Sequence, residues 1–235
     1  MINFNTENKK LEKFEQFRDE YIKLIFNNEL DRALKFILNL KKMNFSIKDI
    51  YLNVFRESLY KIGDMWENNE IDVGDEHYFS ESTKIIMSHI FVNEFNHEEN
   101  QKNIICGTIE GEYHEIGIKM ISDLLYAEGF NINYLGTNVP IKSYMRFLNK
   151  NNFDAILISV TLKKNLDNLK KLVKSIKKED NLKKMMVIVG GYPFYEDSNL
   201  YKKIGADFFG NDIEDIQFYL KYEKERNLKI SLFFI

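Results

Sequence analysis

The stretch Asn103-Ile104-Ile105-Cys106-Gly107-Thr108-Ile109-Glu110-Gly111-Glu112-Tyr113-His114-Glu115-Ile116-Gly117 reads as a strand that opens into a loop and continues as a helix. Ile104–Cys106 is a short apolar run, and Ile118–Leu125 beyond the loop has the spacing of an amphipathic helix. A second apolar run, Ile132–Leu135, follows. Strand, helix and strand in this order form a βαβ unit, whose strands lie parallel because a crossover joins them. Ala155–Val160, Met185–Val189 and Ala206–Phe209 continue the alternation, with amphipathic stretches such as Leu166–Ile176 between them. Residues 102–227 therefore predict a flavodoxin-like (Rossmann-like) α/β domain with a five-stranded parallel sheet.

Upstream the rhythm changes. From Leu11 to Phe95 the apolar residues recur at helical spacing and proline is absent. Phe14, Phe17, Tyr21 and Leu24 make one stripe, and Ala33, Ile37 and Leu40 a second. Ser46 with Asp49 resembles a capping box that opens a third helix carrying Ile47, Ile50, Val54 and Ile62. A fourth helix is expected after Gly74, with Phe79, Ile86 and Ile90. Residues 11–95 thus predict an N-terminal four-helix bundle, and the polar stretch Asn96 to Asn103 marks the boundary. The fold class is α+β with two domains. The apolar Ile230–Ile235 is expected as an extra strand or a partner contact.

Composition narrows the function classes. Lys plus Arg number 33 against 36 Asp plus Glu, a balance that does not favour a nucleic-acid binder, whose affinity needs a concentrated basic face. The single cysteine, Cys106, rules out an intramolecular disulfide and reads as a buried strand residue in a reducing compartment. Met1 to Lys10 lacks the apolar core of a signal peptide, and no stretch has the length of a membrane span. A cytoplasmic protein without membrane contact is the expectation.

Ligands of an open α/β sheet bind beyond the carboxyl ends of its strands, which directs attention to 107–117. The glycine spacing is wrong for a dinucleotide fingerprint, and no Gly-Lys-Ser/Thr ending makes it a phosphate loop. A histidine at the loop tip with a carboxylate two residues earlier suits a metal ligand. One ring nitrogen of His114 can bind metal while Glu112 orients the other. No surrounding Cys, His or Asp completes a zinc tetrahedron, so the metal must bring most of its own ligands.

Glu112-x-His114-x-x-Gly117 resembles the motif of cobalamin-binding domains. Ser159-Val160-Thr161 after the third strand and Gly190-Gly191 after the fourth resemble that family's serine and glycine motifs. The resemblance implies that His114 ligates cobalt from below, and that the cofactor's nucleotide tail passes Ser159, Thr161, Gly190 and Gly191. Ser159 would extend the hydrogen-bonded relay from Glu112 and His114. In the helical half, nine residues separate Trp66 from the Glu76-His77 pair, a pattern similar to adenosylcobalamin photoreceptors of the CarH type. That likeness implies adenosylcobalamin as cofactor, with Trp66 packed on the adenosyl group and Glu76 and His77 lining the upper cavity.

The resulting expectation is a stand-alone cobalamin-binding sensor, responsive to light, forming a homo-oligomer and passing its state to a protein partner. It has no catalytic set of its own. Two departures from the photoreceptor pattern stand out. No DNA-binding helix-turn-helix fits before Leu11, so direct nucleic-acid binding is not expected. Glu67 also occupies the place after Trp66 where that pattern has a histidine. The alternatives are a corrinoid methyl-carrier protein of a methyltransferase system, usually marked by Asp-x-His-Asp-x-Gly, and a cobalamin-responsive anti-repressor indifferent to light.

Overall fold

The computed structural model describes residues 4–95 and 102–232, with side chains from 10 to 222 within those ranges. The chain divides into two compact units, Met1–Phe95 and Asn96–Ile235.

The first unit is helical. Helix α1 spans Phe4–Phe26 and α2 Leu30–Lys42. The short α3, Ile47–Ile50, passes without a break through a π-helical turn, Tyr51–Phe55, into α4, Arg56–Glu67. Helix α5 covers Val73–Glu94. Ser46 caps α3 as expected, its hydroxyl accepting the Asp49 N–H at 2.9 Å. The fourth helix begins at Val73, ahead of Gly74. Its start is set by Asp72, which accepts from the Gly74 N–H at 3.1 Å while Asp75 accepts the Asp72 N–H at 3.0 Å. The apolar stripes meet inside. Tyr21, Phe55 and Phe79 are fully buried, with ring centroids 5.3 Å (Tyr21–Phe55) and 5.6 Å (Tyr21–Phe79) apart. Each such ring contributes roughly 1.5–3 kcal/mol by leaving water. The Tyr21 hydroxyl lies 3.0 Å from Thr83 Oγ1, so the polar end of the buried ring is also satisfied.

The second unit is the expected α/β domain. Its strands are β1 (Asn103–Thr108), β2 (Asn131–Tyr134), β3 (Ala155–Ser159), β4 (Met186–Gly190) and β5 (Phe208–Phe209). All pairs are parallel, in the order β2-β1-β3-β4-β5. Helices α6 (Ile116–Ala127), α7 (Ile141–Lys150), α8 (Leu166–Lys178), α9 (Tyr192–Glu196) and α10 (Leu200–Ile204) connect them, and α11 (Ile213–Leu232) follows β5. The central strands β1, β3 and β4 are buried along nearly their whole length, as parallel strands covered on both faces require.

This strand order puts the topological switch point between β1 and β3. Thr108 pairs with Ser159, and Ser159 with Gly190. The loops after the three central strands therefore leave the sheet side by side. Two sequence expectations change at the ends of the chain. Helix α1 starts at Phe4, before the expected Leu11. Ile230–Leu232 continue α11 instead of adding a strand, because the helix begun at Ile213 runs on, and residues 233–235 lie outside the described residues. Residues 96–101, which include His97, also lie outside them. No helix among the described residues is long and apolar enough to cross a membrane.

Candidate functional site

The loop after β1 is built around one buried carboxylate. Glu112 has no exposed side-chain surface, and five N–H donors converge on it. Oε2 accepts from the backbone N–H of Thr161 and of Leu162 and from Asn165 Nδ2, each at 2.9 Å. Oε1 accepts the His114 backbone N–H at 3.1 Å and lies 2.5 Å from His114 Nδ1. Burial by itself pushes this carboxyl up. The hydrogen bonds from His114, Leu162 and Asn165 outweigh it and hold the group down at about 2. Glu112 is thus a stable anion, pinned from the β3 side and bonded to His114.

His114 is the opposite in exposure, with 54% of its side chain accessible. An imidazole whose Nδ1 proton goes to a carboxylate presents its lone pair at Nε2, the usual state of a metal-binding histidine. Among the described residues no group of three or more His, Cys, Asp or Glu is placed to hold a metal ion. His114 stands as a single donor, a geometry that fits a metal carrying an equatorial ligand set of its own.

The other sequence-predicted residues of this unit surround the same loops. Gly117, in the first turn of α6, is exposed, and a Cβ there would meet nothing within 4 Å. Gly191 has φ +105, and a Cβ on it would overlap the Val160 carbonyl oxygen. Gly190 closes β4, and a Cβ added there would lie 3.5 Å from Gly210 O. Thr161 contributes through its backbone N–H. Ser159 departs from expectation: it sits half-buried at the end of β3, and none of the five donors to Glu112 is its hydroxyl. Asn165 takes that place instead, because the turn after β3 folds back and carries its amide over Gly111 and Glu112.

Sequence reading also missed Thr108, Thr137 and Asn138, which bond the Glu112 backbone (below). For Thr137 and Asn138 the signal was present as Gly136-Thr137-Asn138 before Val139-Pro140, in a loop at this end of the sheet that carried no recognised motif.

Trp66, Glu76 and His77 all belong to the helical unit. Trp66 lies in the last turn of α4 with 45% of its surface exposed. Glu76 and His77 lie in the first turn of α5, Oε2 of Glu76 2.6 Å from Nδ1 of His77, and Ser80 Oγ donates to Glu76 Oε1 at 2.7 Å. The fold brings the three residues to the two ends of one short connection.

Residues 102–214 match a family described as a B12 binding domain, and residues 17–90 match a second family with the same description. The chain belongs to the cobalamin-binding family. Its cofactor is a cobalamin or related corrinoid, which carries the cobalt. This cobalamin-binding chain is 33% identical over 109 residues to the dimethylamine corrinoid protein of Methanosarcina barkeri, covering 46% of this chain and 50% of that one. It is 31% identical over 112 residues to dimethylamine corrinoid protein 1 of Methanosarcina mazei, covering 48% and 51%. The chain spans about half the length of the curated relatives it matches. The monomethylamine corrinoid protein of Methanosarcina barkeri shares its fold, with a TM-score of 0.76 and 18% identity over 88% of this chain and 98% of that one.

Proposed function

We propose that this chain is a corrinoid methyl-group carrier that works with separate methyltransferases, methylamines being the class of methyl donor. The observation that carries the reading is the Glu112–His114 pair: a buried anion bonded to one nitrogen of an exposed imidazole at the switch point of the sheet. In this reading His114 Nε2 is the lower cobalt ligand. Glu112 keeps the ring oriented and supports its basicity, and Gly117, Ser159, Thr161, Gly190 and Gly191 leave room for the cofactor's tail. A bound corrinoid supplies a cobalt centre able to accept a methyl group and give it up. The chain's own part is to hold that centre and present it, and the catalytic groups belong to its partners.

The expectation of a light-responsive regulator gives way here, because relatives at 30–33% identity include corrinoid proteins named for dimethylamine and trimethylamine. It stays as the second reading on one observation, the half-exposed Trp66 and the Glu76–His77 pair at the two ends of the connection between α4 and α5, with adenosylcobalamin as cofactor and a homo-oligomer as the signalling state.

Electron paramagnetic resonance of the protein loaded with cob(II)inamide, a corrinoid that carries no nitrogen base of its own, tests the ligand. His114→Ala is expected to lose the axial nitrogen splitting, and an unchanged signal overturns the assignment. Competition between methylcobalamin and adenosylcobalamin separates the two readings. A carrier binds both within about tenfold. A strong adenosyl preference that Trp66→Ala removes, with a change of mass on illumination, favours the regulator.

A further inference from the structure

Glu112 is held twice, and only its carboxylate grip follows from the site described above. The second grip is on its main-chain carbonyl. Thr108 Oγ1 and Thr137 Oγ1 each donate to Glu112 O at 2.7 Å, and the Asn138 N–H donates to it at 3.0 Å. A carbonyl oxygen has two lone pairs, so three donors saturate it. Thr108 belongs to β1, but Thr137 and Asn138 come from the loop between β2 and α7.

Asn138 also braces both neighbours of Glu112. Its Oδ1 accepts the Gly111 N–H at 2.8 Å, and its Nδ2 donates to the Tyr113 hydroxyl at 3.1 Å. To reach them the residue adopts φ +55, a left-handed conformation that asparagine tolerates better than most residues. Its own N–H is shared with Thr108 Oγ1 at 2.9 Å. The loop bearing His114 is therefore tied to the β2–α7 loop through residues 111, 112 and 113 by the protein's own hydrogen bonds.

We propose that Thr137 and Asn138 are positioning residues that set the His114 loop in its ligand-ready shape before the corrinoid arrives. The proposal rests on the reading of His114 as the lower cobalt ligand. A site ordered in advance binds without a folding step, because apparent affinity scales with the fraction of molecules already competent. The effect belongs in the association rate. Once cobalt holds His114, the loop is fixed from the other side and dissociation depends less on the clamp.

Stopped-flow capture of aquacobalamin by the full chain is the test. Thr137→Val keeps the shape and removes the donor. Asn138→Gly keeps the positive φ and removes the side-chain braces. Each is expected to slow association by about fivefold to tenfold, the worth of one ordinary hydrogen bond, with dissociation little changed. Thr137→Ser restores the hydroxyl and should recover the rate. Unchanged association in both variants, or a loss confined to dissociation, overturns the proposal.

A measurement on the unaltered, corrinoid-free chain covers the case of a variant that does not fold. Hydrogen exchange at the Gly111 and His114 amides should run at least ~10-fold slower than in an unstructured peptide, and exchange at the unstructured rate overturns preorganisation. If His114→Ala keeps its axial nitrogen signal while these amides are protected, the ligand reading fails and the clamp stands.

Discussion

A carboxylate with no exposed surface survives inside a protein only if its partners replace water, and the five N–H groups around Glu112 do so. Glu112→Gln keeps the shape but turns an amide N–H2 toward donors, so two of the contacts become repulsive. The cofactor-free variant is expected to lose about 2–4 kcal/mol in urea unfolding, and a loss under ~0.5 kcal/mol would mean the donors do not need the charge. The glycines divide by the same kind of argument. Gly191→Ala meets both a positive φ and the Val160 carbonyl, and is expected to cost ~3 kcal/mol or more. Gly117→Ala meets open space and gains helix propensity, so the free protein should be stabilised by about 0.5–1 kcal/mol. If Gly117 leaves room for the corrinoid, as proposed, the same change should weaken corrinoid binding, because the added methyl occupies that open space; titration calorimetry with aquacobalamin checks it. Cys106 gives the pH signature. Burial pushes its thiol from 9.0 up to about 12, against a smaller lowering by Ser122. Below pH 9 both folded and unfolded chains keep the proton and the residue contributes no pH dependence. Between pH 9 and 12 only the unfolded chain ionises, so folding stability falls by about 1.4 kcal/mol per pH unit. Urea midpoints of the parent and Cys106→Ala should converge over that range, and parallel curves would show that the thiol is not shielded.

Among the elements, the helices show how local chemistry sets a boundary. Helix α5 begins where Asp72 and Asp75 exchange side-chain hydrogen bonds with each other's backbone, one residue ahead of the glycine that draws the eye in the sequence. Asp72→Ala should destabilise the helical unit by about 1 kcal/mol, read as a shift in the thermal midpoint of helical circular dichroism. An unchanged midpoint would place the start of α5 under the control of packing alone. The third helix of the bundle was legible as one amphipathic stripe, but its π-helical turn at Tyr51–Phe55 was not. Apolar periodicity averages over a turn, and a single i→i+5 turn changes the register by less than such a pattern resolves. The strands were the most legible elements, because buried parallel strands are short apolar runs bounded by polar loops.

At the scale of the whole molecule, the change from helical to alternating rhythm near residues 96–103 coincides with the division into two units. The α/β unit has a core of its own, in which Ile156, Ile158, Val187 and Val189 of the central strands pack with Leu169, Leu172, Val173 and Ile176 of α8. Residues 102–235 expressed alone are therefore expected to unfold in a single cooperative transition and to bind aquacobalamin, and a fragment with no such transition would show that the helical unit is needed for its core. The sequence by itself determined the two-domain α+β class, the five parallel strands and the place of His114 at the tip of the first loop. Each of these depends on local periodicity or on residues adjacent in the chain. Only the tertiary structure decided which groups hold Glu112. Asn165 arrives from 53 positions away and Thr137 from 25, and hydrogen bonds between separate loops leave no period or spacing in the sequence. Ser159 had the right chemistry and the right strand, yet the turn after β3 hands its expected contact to Asn165. The fold, and not the motif, chooses between two polar side chains so close in sequence.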